Sequence, residues 1–389
     1  MQTSPTVRQI QTPAGDPAWL VTGYDTVKAL LADPRLGRSH PDPSRAARLS
    51  DSVILGQPSS SQNEHEEHAR MRRLLGPAFS ARRMETLREG VQELLDGLLD
   101  AMEREPRPLD FHEAVSFPLP VLVICQLLGV PYEDRADFRR WSDDAADMTD
   151  GARSRAGWAG LLGYMGRLVE RKRTEPAEDV LSDLTAPGPD GTPELDATGA
   201  AQLGAGLLFA GHETTVAAID RGVLLLLTNP DQREALERDP DRLKQAVEEI
   251  LRHPGPLQRP EGGRGESPIE QARSGGGIPR YANADLEVGG VTIKAGDLVL
   301  LGLRAANQDE DRFTRPEEFA VAREQNAHLT FGHGPHFCLG APLARLELQT
   351  VFGTLLGRFP GLRLARPVEE LQTRSHLLTG GVEELPVTW

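Results

Sequence analysis

The chain holds 389 residues, 39% of them hydrophobic and 26% charged, a balance that supports a sizeable core and excludes the disordered and fibrous classes. Its formal net charge of −15 sets the molecule as a whole against nucleic acid and anionic lipid. The start, Met1-Gln-Thr-Ser-Pro-Thr-Val-Arg, lacks the basic stretch and apolar core of a signal peptide, and no later segment offers an uninterrupted membrane-spanning length. The expectation is a cytoplasmic protein with no nucleic-acid or membrane partner.

In chain order, Trp19-Leu-Val-Thr reads as a short strand, and Tyr24 to Leu31 as a helix stopped by Asp33-Pro34. Leu36 to Asn63 is a long connection rich in Pro, Ser, Arg and Asp, a length that usually carries function, here substrate access. Helical patterns follow over Glu64 to Leu75 and in a longer run from Ala81 to about Arg173. Pro187-Gly-Pro-Asp-Gly-Thr-Pro breaks the pattern. From an N-cap at Asp196 the sequence is helical to Thr228, where Asn229-Pro230 stops it. Apolar residues lie on every face of this helix, which places it at the centre of a core; its Gln202, His212, Glu213, Asp220 and Arg221 argue against a membrane span. Asp241 to Arg252 is a further helix. Gln258 to Gly277 has no regular period and reads as an exposed loop. Leu286-Glu-Val-Gly-Gly-Val-Thr-Ile predicts a hairpin turning at Gly289-Gly290, and Leu298 to Leu303 a strand. The fold class is mainly α with small β-sheets.

The two cysteines, Cys125 and Cys338, give no disulfide framework. Cys125 lies in Leu122-Val-Ile-Cys-Gln-Leu-Leu and reads as a small buried hydrophobe. Cys338 lies in a glycine-rich loop just before an amphipathic helix, where helix N-terminal amides favour a thiolate and glycines let backbone approach a flat ligand. Taken alone, such a cysteine reads first as structural. Zinc is a second reading, because His328, His333 and His336 are close in sequence, although these spacings match no standard zinc pattern.

Phe331-Gly-x-Gly-x-His-x-Cys-x-Gly, ending at Gly340, resembles the haem-binding signature of the cytochrome P450 family in its bacterial soluble form. The resemblance implies that Cys338 is the axial thiolate of haem b (iron protoporphyrin IX), that Phe331 packs near it, and that His336 contacts a propionate. Pro335 stands where many members have arginine. Ala210-Gly-His-Glu-Thr-Thr, midway along the long helix, is similar to the family's oxygen-activation motif. There Glu213 would be the relay acid and Thr214 the hydroxyl, with Gly211 leaving room beside the helix. His68 and Arg72, four apart on one helix, and Arg280 before the hairpin match propionate-binding positions. Glu249-Ile-Leu-Arg252 has the spacing of the family's buried structural pair. Its usual third partner comes from a P-x-x-F motif, here Pro316-Glu-Glu-Phe319, where Glu318 replaces a basic residue and Arg323 is the nearest substitute.

The resemblance runs from Trp19-Leu-Val-Thr to Leu385-Pro-Val-Thr-Trp389, with four motifs in the expected order. It implies one cytochrome P450 domain over 1–389, with haem between the long helix and the cysteine loop. The implied activity is a monomeric monooxygenase that uses O2, with electrons ultimately from NAD(P)H delivered by a separate ferredoxin and ferredoxin reductase. Arg70, Arg73 and Arg345 are the candidate docking face. By family position Ile54, Leu207, Leu208, Ala210, Pro279 and Leu378 would line the pocket for a bulky apolar secondary metabolite, such as a polyketide, peptide or terpenoid. Oxidative coupling, dehydrogenation and epoxidation on the same fold stay open, as does a non-catalytic haem-binding protein. The loop Glu261 to Gly276 is longer than is usual at this connection.

Overall fold

The computed structural model describes residues 6–55, 58, 63–188, 191, 193–257 and 277–389. Contacts divide the chain into two compact units, residues 1–69 with 228–338 and residues 70–227 with 339–389.

The first unit is organised by a five-stranded sheet in the order Val7–Gln11, Pro17–Val21, Leu298–Gly302, Gly277–Ala282, Leu36–Gly37. Pro17–Val21 pairs antiparallel with the first strand and parallel with Leu298–Gly302. Leu298–Gly302 is buried along its whole length, which is why it reads as an unbroken apolar run rather than an alternation. Tyr24–Leu31 is helical as expected and inserts Tyr24, Val27, Leu30 and Leu31 into a core with Val21, Val299, Leu301 and Phe313. The hairpin Leu286–Val288 with Val291–Ile293 turns through Gly289 and Gly290 at φ +58° and +80°. Positive φ at both turn residues matches the twist of the strands, and glycine reaches it without strain. The short pairing Gly37↔Tyr281 has a functional consequence, because it brings residue 38 to the neighbourhood of residue 280.

The second unit is helical. Ala81–Arg104, Pro118–Leu128, Arg135–Ala145, Gly151–Thr174 and Ala341–Arg358 accompany the long helix Ala197–Thr228, and one small sheet pairs Leu109–Asp110 and Arg363–Leu364 with Pro386–Thr388. Helix starts are set by side-chain caps: Ser80 accepts from the Arg83 amide, Asp150 from Ala152 and Arg153, and Asp196 from Gly199 at 2.7 Å. The long helix has 32 residues, about 48 Å at 1.5 Å per residue. Asn229-Pro230 ends it as expected, but Pro230 then opens a new helix, Pro230–Arg238, a position where its missing amide hydrogen costs nothing. The helix Glu64–Leu75 has the expected bounds and contains the division at Ala69. The segment Glu261 to Gly276 lies outside the described residues.

Candidate functional site

The cysteine loop is a sequence of tight turns. Gly332 and Gly334 take φ +72° and +71°, the Phe337 amide donates to the Gly334 carbonyl at 3.0 Å, and the Cys338 amide to the Phe331 carbonyl at 2.8 Å. A side chain at Gly334 would place its Cβ 3.0 Å from Cα of Ala32, so this glycine serves both the turn and a close approach to the end of the helix Tyr24–Leu31. Phe331 meets Phe337 edge-on at 6.3 Å. Cys338 is exposed, and Phe337, at 37%, is the one large hydrophobic among the described residues that is exposed. An apolar ring and a thiol presented together on a glycine-turned loop fit a flat apolar ligand bearing a metal. Gly340 caps the helix Ala341–Arg358, which starts three residues beyond the cysteine. Cys125 behaves oppositely: it is 2% exposed, and burial pushes its thiol up to about 12.

A basic cluster forms in the same unit. The His68 and His336 rings lie 4.0 Å apart. Burial, then the nearby charges of His68, Arg280 and Arg38, push His336 down to about 4. Arg280, only 8% exposed, donates to its neighbour's carbonyl, Pro279 O, at 2.8 Å. Burial and then Arg38 push its guanidinium down to about 10, against the pull of Glu64. Glu64 itself is occupied by the amides of Arg38 and Ser39 and the Ser39 hydroxyl. Two guanidiniums, Arg38 and Arg280, and two imidazoles, His68 and His336, thus gather near one satisfied carboxylate. Arg72 stands four residues beyond His68 on the helix Glu64–Leu75 and is partly buried. Arg38 was not legible in the sequence, since only the pairing of Leu36–Gly37 with Gly277–Ala282 brings it to Arg280.

On the long helix, Ala210 and Thr214 are exposed, whereas His212 and Glu213 are buried. The Thr214 hydroxyl donates to the Ala210 carbonyl at 3.0 Å, so its proton is committed within the helix and its lone pairs face outward as acceptors. Gly211 departs from expectation. A Cβ there would meet Ile124 at 2.7 Å, so the glycine admits the neighbouring helix Pro118–Leu128 and the room beside it is filled by Ile124. Glu213 accepts from the Thr379 hydroxyl at 3.1 Å and lies 3.5 Å from His212 Nε2. Burial raises its carboxyl, but His212, Thr379 and the charge of Arg374 outweigh burial and hold it below the usual value.

Of the pocket candidates, Ile54, Leu207, Pro279 and Leu378 are partly accessible and Ala210 is exposed. Leu208 is buried, at 0% exposure. Of the docking arginines, Arg70 is exposed, Arg345 is partly buried, and Arg73 forms an ion pair with Glu194 at 3.2 Å. The structural pair is fully buried. Arg252 meets Glu249 at 2.8 and 2.9 Å, and Arg323 reaches both oxygens of Glu249 at 3.1 Å. Arg323 therefore takes the third place, and Glu318 contributes its backbone carbonyl to both arginines.

A cysteine presented on a glycine-turned loop, a cluster of basic side chains and a buried acid beside an exposed hydroxyl in mid-helix are the parts that a thiolate-ligated haem enzyme activating oxygen would require. Comparison with known proteins carries this to a family. Residues 273–374 match the family model described as Cytochrome P450. Pentalenolactone synthase of Streptomyces exfoliatus is 43% identical over 97% of this chain and 91% of its own length. Cytochrome P450 monooxygenase PikC of Streptomyces venezuelae is 38% identical over 98% of this chain and 87% of its own. The crystal structure of SgvP, a putative thioether synthase in the tailoring step of griseoviridin, superposes with a TM-score of 0.87 at 37% identity, covering 99% of this chain and 94% of that one. The chain thus belongs to the cytochrome P450 family, and it is a monooxygenase that uses haem iron and O2 and acts on small molecules with electrons from redox partners. No helix among the described residues is long and apolar enough to cross a membrane.

Proposed function

We propose that this cytoplasmic monooxygenase inserts one oxygen atom from O2 into a bulky apolar secondary metabolite, a polyketide, peptide or terpenoid, as a tailoring step of biosynthesis. What carries the reading is the presentation of Cys338 beside a cluster of basic side chains that fits two carboxylates. Cys338 would bind the iron, with Phe331 and Gly340 shaping the loop about it. Arg280, His336, His68 and Arg72 would hold the propionates, and Arg38 joins them. When bound, the haem supplies dioxygen binding and cleavage, with the thiolate pushing electron density toward the iron. This chain's residues would move the protons: Glu213, a buried carboxylate that accepts from Thr379, would take one up and pass it on, and Thr214, whose hydroxyl donates to Ala210, would accept hydrogen bonds on the exposed face of the helix.

The substrate class rests on relatives whose names record such chemistry, among them a thioether synthase in the tailoring step of griseoviridin and an epoxidase of the polyene macrolide antibiotic pimaricin. Ile54, Leu207, Leu208, Ala210, Pro279 and Leu378 are the proposed pocket residues. Electrons would come from NAD(P)H through a separate ferredoxin reductase and ferredoxin to a monomer, one domain over 1–389. The test is spectral titration of the ferric protein with polyketide, peptide and terpenoid intermediates. At least one is expected to move the iron spin state; silence across the panel overturns the tailoring role. Cys338→Ala is expected to abolish the red-shifted Soret band of the reduced carbon monoxide complex. An unchanged band in that variant removes Cys338 as the ligand.

A further inference from the structure

Seven residues beyond Glu213 on the long helix lies a second buried acid, Asp220, 2% exposed. Its Oδ2 pairs with Nδ1 of His112, 3% exposed, at 2.8 Å. Nothing in the oxygen-activating pair requires these two residues. They nonetheless border a cavity of about 10 Å³ whose lining also includes Glu213, Arg374 and Thr379, and that volume is the lower bound for one water. Two buried side-chain atoms of residues lining this cavity, His112 Nε2 and Asp220 Oδ1, have no hydrogen-bond partner among the described residues. Buried polar atoms left in this way are costly unless a water or a transferable proton satisfies them.

We propose that the His112–Asp220 pair, through one water in this cavity, is a positioning and proton-feeding device that recharges Glu213 from solvent. The inference rests on the monooxygenase reading above. Each proton that Glu213 gives up to reacting oxygen is replaced by one from the water. The water takes its replacement from the His112 imidazolium, and His112 is reprotonated from the side of Glu113, which is half exposed and lies 3.9 Å from His112 Nε2. No electron moves, and one proton enters for each one consumed.

The surroundings favour the charged imidazole. Burial lowers the pKa of His112, but the hydrogen bond and charge of Asp220 and the charge of Glu113 outweigh burial and Arg374, leaving it raised. Around Glu213 stand His212 and Thr379, then Arg374, whose guanidinium lies 3.7 Å from Asp143, and Arg139, which is paired with Glu113. Asp143 is itself raised by burial and by the charge of Glu213. His212 Nδ1 faces the Leu208 carbonyl at 2.6 Å. A carbonyl only accepts, so that nitrogen carries a proton. Nε2 then lies 3.5 Å from Glu213 Oε1.

The test compares the holoenzyme with Asp220→Asn, which keeps the side-chain shape and removes the charge. Carbon-13 and nitrogen-15 histidine NMR is expected to show His112 titrating at lower pH in the variant. With a surrogate ferredoxin and reductase, oxygen reduction is expected to slow on the order of tenfold in its proton-dependent step. The solvent isotope effect should rise, the acid limb of the pH profile should shift, and a larger share of oxygen should leave as hydrogen peroxide. An isotope effect, pH profile and peroxide share all equal to wild type overturn the proposal. Should Asp220→Asn fail to fold, His112→Asn is read in the same way. The reduced carbon monoxide spectrum separates the two levels: a thiolate band in wild type and variant leaves only the relay under test, and its absence from wild type sinks the monooxygenase reading itself.

Discussion

A carboxyl buried without a charge to balance it remains protonated, and Glu347 is such a group: 1% exposed, with Oε2 unpartnered and burial alone raising it well above the ordinary value. The folded protein therefore keeps a proton that the unfolded chain gives up near the ordinary glutamate pKa. Stability from this group is full below that unfolded value and is lost as pH rises towards the folded one, with a slope of up to about 1.4 kcal/mol per pH unit. Glu347→Gln cannot ionise. Its urea midpoint is expected to gain on wild type steadily between pH 5 and pH 8, and parallel midpoints would show that Glu347 is not held neutral. Thr214 makes a kinetic prediction. Its hydroxyl already donates to the Ala210 carbonyl, so the role proposed for it would rest on its lone pairs, which alanine deletes. Thr214→Ala should leave the reduced carbon monoxide band in place and send most of the reducing equivalents to hydrogen peroxide; undiminished coupling to product removes it from the oxygen-activating pair.

At the scale of elements, the sequence told most where one local rule governs. Tyr24–Leu31 and Glu64–Leu75 have the bounds that periodicity and Asp33-Pro34 or flanking polar residues set, and the Gly289-Gly290 hairpin follows from turn stereochemistry. The strands Val7–Gln11, Arg363–Leu364 and Pro386–Thr388 were not read, because short strands are defined by partners far along the chain. The same limit hid Arg38, and it hid His112–Asp220, whose members are 108 residues apart. Motif residues were legible individually, but what each touches was not: Gly211 proved to be a packing position against Ile124. Gly211→Val is accordingly expected to cost about 1–3 kcal/mol through overpacking, measured by denaturation, and a variant as stable as wild type would mean that the helix Pro118–Leu128 yields freely. Glu249 gives the converse case. Its two oxygens are shared among Arg252, Arg323 and Asn326 at 0% exposure, so Arg323→Ala leaves a buried carboxylate undercompensated and should cost about 3–5 kcal/mol. A small loss on that substitution would return Arg323 to the status of a surface residue.

For the molecule as a whole, the question is how a chain of net charge −15 accepts electrons from the acidic ferredoxin proposed for it. Two electrostatic effects oppose one another, attraction to the arginines Arg70 and Arg345, and repulsion from the total charge. Arg73 adds less because Glu194 pairs with it. Screening decides between them. At about 0.1 M salt the Debye length is roughly 10 Å, so charges remote from the docking face fade while those in contact persist. Local attraction is therefore expected to set the encounter rate. Reduction of the ferric protein by an acidic ferredoxin, followed by stopped flow, should slow as salt rises from about 0.1 to 0.5 M, where more of the contact attraction is screened. Arg70→Glu with Arg345→Glu should lower the rate on the order of tenfold at low salt and flatten its salt dependence, because the steering field then points the other way. A rate that climbs with salt in the unmodified protein would mean that the total charge wins, and that the electron donor docks on a face other than this one.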